Sequence, residues 1–304
     1  MSISSIKKVT EQRSLTVTHG MGLPDRDIAQ ATMTTDHIID VDGYRLRVRE
    51  QGRPRSPAVV LVHGFAHSLE SWDAWASDLA RDHRVVAFDL PGHGLSGPDA
   101  EKRYSNKDTV DALAALIRTL GLRRPFLVGN SLGGLVAWRY AARAAARLRG
   151  LILIAPGGYS INGVTDAPAG VPLMMSAFLR MAPEAAVRAM TRKLYGDPER
   201  VAEARVEMIH ARMSGEGVGD ALVRRLKQFT LPDPDVELAR INAPTLLLWG
   251  GKDTVVPPEH AERFAAAMKR ASLKIYNDLG HVPHEEAPER TLADARAFLR
   301  KHRR

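Results

Sequence analysis

The stretch Phe126-Leu127-Val128-Gly129-Asn130-Ser131-Leu132-Gly133-Gly134-Leu135 decides how this chain is read. Three apolar residues suit a buried strand. Leu135, Trp138 and Ala142 then recur at helical spacing, so a helix follows almost without a connection. The turn between them has the pattern G-x-S-x-G, which carries chemical meaning only between a strand and a helix. In so tight a turn the positions two before and two after the serine nearly collide, and glycine removes the Cβ atoms that would do so. The serine is held in a strained backbone conformation with its hydroxyl clear of the sheet. The N-terminus of the following helix points partial positive charge at it. Ser131 is therefore the candidate nucleophile.

Working outward, similar apolar runs occur at Ala58–Val62, Arg84–Phe88, Leu151–Ile154 and Thr245–Trp249. Runs without alternation suit strands buried on both faces. Helical patterns lie between them, near 72–81, 105–120, 132–146, 258–270 and 288–301. Strands alternating with helices imply a mainly parallel sheet with helices on both faces, an α/β fold. Upstream, His37–Asp40 and Tyr44–Arg49 flank Asp42-Gly43, a hairpin signal that adds an antiparallel N-terminal edge. The second of these runs alternates strictly, so one of its faces is expected to be wet.

The alternation stops near Pro156 and resumes at Ala243. Helix-like pieces rich in Met, Ala and Arg fill the gap: Val171–Met181, Pro183–Tyr195, Pro198–Met213 and Gly219–Phe229. The expected organisation is an N-terminal arm (1–35), a core in two parts (36–156 and 239–304) and a helical insertion (157–238).

Composition narrows the chemistry. The chain has 304 residues and no cysteine, which excludes disulfides, a thiol nucleophile and thiolate-built metal sites. The formal net charge is +8, but the basic residues are mostly single arginines along helical segments. Aromatics do not interleave with them, so a solvated surface is expected rather than nucleic-acid binding. No apolar window approaches the roughly 18 residues of a membrane span. Lys7-Lys8 is followed by no apolar core, so no signal peptide is expected and a cytoplasmic location is the default.

A serine hydroxyl needs a base, and the base needs an orienting carboxylate. Of the eleven histidines, His281 is best placed, in a loop after the strand-like Leu273–Tyr276. Loops leaving the C-terminal ends of strands are where sites gather in such sheets. His284 reads as the start of a helix and His93 as a turn residue, while His210 and His260 sit on helices. Asp253 follows the strand ending at Trp249 and is the candidate carboxylate. Asp89 reads as tying down its own Pro-Gly turn, and Asp278 as a cap or a solvated group. His63-Gly64-Phe65 directly follows the strand 58–62. This turn would set the N–H of Phe65 beside that of Leu132 as an oxyanion hole, with His63 holding the turn.

Together these residues resemble the α/β-hydrolase superfamily. The order Ser131, Asp253, His281 is that family's order of nucleophile, acid and base. The D-x-P-G-x-G segment at 89–94 and the G-H-x-x-x-x-E segment at 280–286 also match in order. The resemblance covers about residues 37–302, and it implies that 157–238 is the cap that roofs the pocket. Serine at the nucleophile position disfavours the haloalkane dehalogenase and epoxide hydrolase branches, which carry aspartate. Asn130-Ser131 resembles the carbon–carbon hydrolases of meta-cleavage products, although here the loop reads Phe65-Ala66-His67-Ser68 and Val282 follows His281. The expectation is a serine esterase for short or medium acyl or aryl esters, a small-molecule substrate, with no metal or organic cofactor. Carbon–carbon hydrolase, acyltransferase, perhydrolase and non-catalytic ligand binder stand as alternatives. Gly64, His67, Met174, Met175, Phe178 and Val282 are the expected pocket residues.

Overall fold

The computed structural model describes residues 34–144 and 148–303. The N-terminal arm falls almost wholly outside the described residues. Its last two positions belong to the first strand, which begins at Thr34.

Eight strands form one sheet: β1 (Thr34–Val41), β2 (Tyr44–Gln51), β3 (Ala58–Val62), β4 (Arg84–Phe88), β5 (Phe126–Asn130), β6 (Gly150–Ile154), β7 (Thr245–Gly250) and β8 (Ala271–Tyr276). Their spatial order is β1-β2-β4-β3-β5-β6-β7-β8. β2 pairs antiparallel with β1 and β4, and the remaining pairings are parallel. The turn signal at Asp42-Gly43 works as expected, with both residues at positive φ. Order reverses at β3, which has β4 on one side and β5 on the other. In a doubly wound sheet the crevice beyond such a reversal is where ligands bind. Gly64 and Ser131 leave their strands at this crevice.

The apolar runs have two dry faces. Val60, Val62, Leu127, Leu153, Leu247 and Trp249 join one core with residues of α2 (Asn106–Thr119), α3 (Leu132–Ala144) and α9 (Glu259–Ala267). Val59, Leu61, Val128, Ile152 and Leu248 join a second core with α1 (Asp73–Leu79) and α11 (Pro288–Lys301). Each fully buried Val or Leu contributes about 1.5–3 kcal/mol over an exposed one. α2 starts where a capping box fixes it: Ser105 Oγ accepts from Asp108 N at 3.2 Å, and the Asp108 carboxylate accepts from Ser105 N at 3.0 Å.

The wet face expected of β2 holds at Arg45, which is exposed, and is corrected at Arg47. Arg47 is only 5% exposed. Its guanidinium meets Asp36 at 2.8 Å, Glu70 at 2.7 Å and Asp89 at 3.4 Å. The turn Leu69–Trp72 lies over this part of the strand, and three carboxylates replace the water it excludes. β2 alternates as expected, with Arg45 exposed and Arg49 half-buried, but the face at Arg47 is covered by chain from elsewhere.

Between β6 and β7 come α4 (Leu173–Met181), α5 (Glu184–Lys193), α6 (Glu203–Met213), α7 (Val218–Gln228) and the short α8 (Asp235–Leu238). Leu179, Val187, Ile209, Met213, Val218 and Leu222 cluster together and take in Ala66 from the loop after β3. Tyr195, Val201 and Val206 pack on Val282, the residue after His281. The helices thus seat on two loops that carry candidate site residues. α10 (Pro283–Glu286) closes the second loop.

Candidate active site

β5 ends at Asn130 and α3 begins at Leu132, so Ser131 is the whole connection. Its φ is +55°, a left-handed conformation that costs a non-glycine residue about 1–3 kcal/mol. The turn is held from both sides. Ser131 N donates to Ile154 O at 3.0 Å, and Ser131 O accepts from Leu135 N and Gly157 N, both at 3.0 Å. The glycines are required by contact. A Cβ on Gly129 would strike the Gly133 carbonyl, and one on Gly133 would strike the Val62 carbonyl. A Cβ on Gly64 would sit 3.4 Å from Ser131 Cβ, so the turn after β3 runs directly beside the serine.

Asp253 and His281 come together on the loops after β7 and β8. Asp253 Oδ2 lies 2.7 Å from His281 Nδ1. Asp253 Oδ1 accepts from Val255 N at 2.8 Å and Val256 N at 2.9 Å, which fixes the carboxylate plane. The imidazole is tied to the serine turn through Asn130, whose Nδ2 donates to His281 O at 3.1 Å and to Ile154 O at 3.1 Å. His281 N donates to Leu194 O at 2.7 Å. Both backbone polar groups of the histidine are therefore engaged. A buried carboxylate on Nδ1 selects the tautomer with Nε2 free to accept a proton.

A model of the alpha/beta hydrolase fold matches residues 57–288. The chain belongs to this family. An acetyltransferase component of the acetoin cleaving system of Pseudomonas putida is 32% identical over 270 residues, 86% of this chain and 69% of that one. Lipase 3 of Moraxella sp. is 24% identical over 98% of this chain and 94% of its own length. Among solved structures, a membrane phospholipase A superposes with a TM-score of 0.75 at 28% identity, covering 89% of this chain and 87% of that one. An aryl esterase from Burkholderia cenocepacia has a TM-score of 0.74 at 26% identity, covering 88% and 98%. Lipases and esterases among the relatives support a hydrolase.

Within this α/β-hydrolase frame His63, His93 and His284 have structural work. His63 Nε2 accepts from Leu90 N at 2.9 Å while Nδ1 donates to Gly64 O at 2.8 Å. Burial pushes its pKa down to about 3, so it stays neutral and splints the turn. His93 donates from Nδ1 to Pro91 O at 3.1 Å, and burial holds its pKa well below the usual value. His284 is buried against the Trp72 ring, 4.3 Å between centroids, and burial brings its pKa to about 3. Asp89 ties its own turn, accepting from Leu69 N at 2.7 Å and Leu95 N at 2.8 Å. Asp278 pairs with Arg290 at 2.6 Å on the surface.

The expected pocket residues separate into two groups. Gly64 adjoins Ser131, His67 is buried behind the same loop, and Val282 is buried under the helical insert. Phe65 and Phe178 share the cluster around Ala66. Met174 is 81% exposed and Met175 41%. They lie on the outer side of α4, whose inward side carries Ser176 and Leu179. Apolarity alone does not say which side of a helix faces in.

Several residues at the seam between insert and core carry no local sequence signal. Arg205 of α6 meets Glu285 at 2.5 Å and donates to Ser71 Oγ at 2.7 Å. Arg212 of the same helix meets Glu70 at 2.7 Å. Among the described residues no helix is long and apolar enough to cross a membrane.

Proposed function

We propose that this α/β hydrolase cleaves carboxylic esters of short or medium acyl or aryl type through Ser131, His281 and Asp253. The observation that carries the reading is the 2.7 Å contact between Asp253 Oδ2 and His281 Nδ1 on loops tied through Asn130 to the turn bearing Ser131. Ser131 Oγ attacks the ester carbonyl carbon as His281 Nε2 takes its proton. Asp253 holds Nδ1 and stabilises the imidazolium. The N–H groups of Phe65 and Leu132 receive the oxyanion, each contributing on the order of 3 kcal/mol to the transition state. The carbonyl re-forms, the alkoxide leaves and takes the proton from Nε2, and an acyl-serine remains. Water, deprotonated by His281, attacks the acyl-serine; Oγ leaves, regains its proton and frees the carboxylic acid. Residues 157–238 act as the cap, with Phe178 and Val282 toward the substrate side.

Release of p-nitrophenol from acetate, butyrate and octanoate esters tests this. Saturable hydrolysis that Ser131→Ala abolishes is the expected result. Activity untouched by the substitution refutes the assignment. A second reading, acyl transfer, is favoured by the 32% identity to the acetyltransferase component. It predicts that an added alcohol or dithiol captures the acyl group in place of water, and product analysis separates the two.

A further inference from the structure

Glu285 and Glu286 are neighbours in α10 with different partners. Glu285 pairs with Arg205. Glu286 is 8% exposed, and its partners are backbone N–H groups from two separate stretches. Oε2 accepts from Gly280 N at 2.8 Å and Gly196 N at 2.9 Å, and Oε1 accepts from Asp197 N at 2.9 Å. Gly280 precedes His281 in the histidine loop. Gly196 and Asp197 belong to the helical insert, just after Leu194, whose carbonyl holds His281 N.

The two stretches touch backbone to backbone. A Cβ on Gly196 would lie 2.5 Å from Asp278 O, and one on Gly280 would lie 2.5 Å from Gly196 N. Such an approach leaves no room for side chains to mediate it. It brings amide donors of both stretches to one point, and there the Glu286 carboxylate sits. Hydrogen bonds from backbone N–H to a carboxylate are about twice as strong as neutral ones; here Glu286 and Gly280 are buried, and Gly196 and Asp197 are half-buried.

We propose that Glu286 is a positioning residue for the His281 imidazole. Its carboxylate clamps residues 194–197 of the insert to the histidine loop, so that Leu194 O, and through it the ring, stay in place. The role goes beyond the triad, and it rests on the reading of His281 as the base. Asp253 fixes the ring's rotation and Asn130 fixes one backbone side of His281. Glu286 fixes the other side, through the insert. The insert that covers the site thereby also sets the base.

The test uses the full chain, with Glu286→Ala and Glu286→Gln. Two quantities are read: kcat per active site titrated with a fluorophosphonate, and the downfield proton resonance of His281 Nδ1–H. Loss of fold alone lowers the titratable fraction but not kcat per site. A base displaced by a fraction of an ångström costs about 10- to 100-fold in kcat. That loss is expected for Glu286→Ala, with KM within about threefold and the resonance moved. Glu286→Gln keeps an oxygen for Gly280 and Gly196 but turns an amide group on Asp197 N–H, so it falls between wild type and Ala. Wild-type kcat per site in Glu286→Ala overturns the proposal, as does an unmoved resonance. If Glu286→Ala does not fold, Glu286→Gln decides: a loss of at least about twofold with a moved resonance supports the clamp, and wild-type values for both refute it. The resonance needs no turnover. A wild type inactive on every ester would overturn the hydrolase reading and leave the clamp still measurable.

Discussion

Replacing Asp253 by asparagine keeps the shape of the site and reverses one hydrogen bond. Two backbone donors, Val255 N at 2.8 Å and Val256 N at 2.9 Å, hold Oδ1 of the carboxylate. An amide at this position turns its oxygen to them, so its NH2 group faces His281 Nδ1, where Oδ2 now stands at 2.7 Å. Nδ1 must then accept, which places the ring proton on Nε2, and the Ser131 proton has no acceptor. The productive tautomer returns only if the amide flips and sets its NH2 against the two N–H donors. Each buried donor left unsatisfied costs about 1–3 kcal/mol, so the flip costs about 2–6 kcal/mol, or roughly 30-fold to 2.5 × 10⁴-fold in kcat. The assay is p-nitrophenyl butyrate hydrolysis at pH 8, with the thermal midpoint measured alongside. A fall in kcat of this size in a folded variant is predicted. A fall of less than about tenfold would refute the proposed role of Asp253.

Three further outcomes follow from other parts of the molecule. His63 and His284, with pKa values near 3 in the fold, take up protons on unfolding below about pH 6.5. Each thus removes about 1.4 kcal/mol of stability per pH unit as pH falls from 6.5 toward 3. Asp89, pushed up to about 6 by burial, takes a proton in the folded state and opposes them by one proton between about 6 and 4. Urea unfolding at pH 7, 6 and 5 should show a net fall in stability, and a flat or rising profile contradicts it. Arg205→Met leaves the buried Glu285 without its cation, and about 3 kcal/mol of stability should be lost; an unchanged thermal midpoint would show that this seam is unimportant. Leu173→Ser with Met174→Ser alters side chains that are 83% and 81% exposed, so stability should change by less than about 0.5 kcal/mol for each, and a fall above about 2 kcal/mol in calorimetry would place them in a packed interior.

What could be read from the sequence followed from local rules. Unbroken apolar runs with helices between them give a parallel sheet buried on both faces, and Val59 and Val60 do lie in opposite cores. The G-x-S-x-G turn could be read because steric exclusion acts within a few residues. His281 and Asp253 could be picked out because each follows a strand at its C-terminal end. What escaped was set by contacts between distant segments. Arg47 looked wet because alternation describes a strand and not what later folds over it. The outward turn of Met174 depends on which side of α4 meets α7. The three donors on Glu286 come from stretches 6, 89 and 90 residues away, and the G-H-x-x-x-x-E pattern alone assigned that glutamate no partner.

The central claim is that Ser131 becomes acylated. Intact-protein mass spectrometry after a rapid acid quench from p-nitrophenyl butyrate tests it most directly. The account predicts an added butyryl mass that maps to the peptide containing Ser131, builds up within the first turnovers, and is absent from Ser131→Ala. Hydrolysis with the acyl group on another residue, or persisting unchanged in Ser131→Ala, would contradict it.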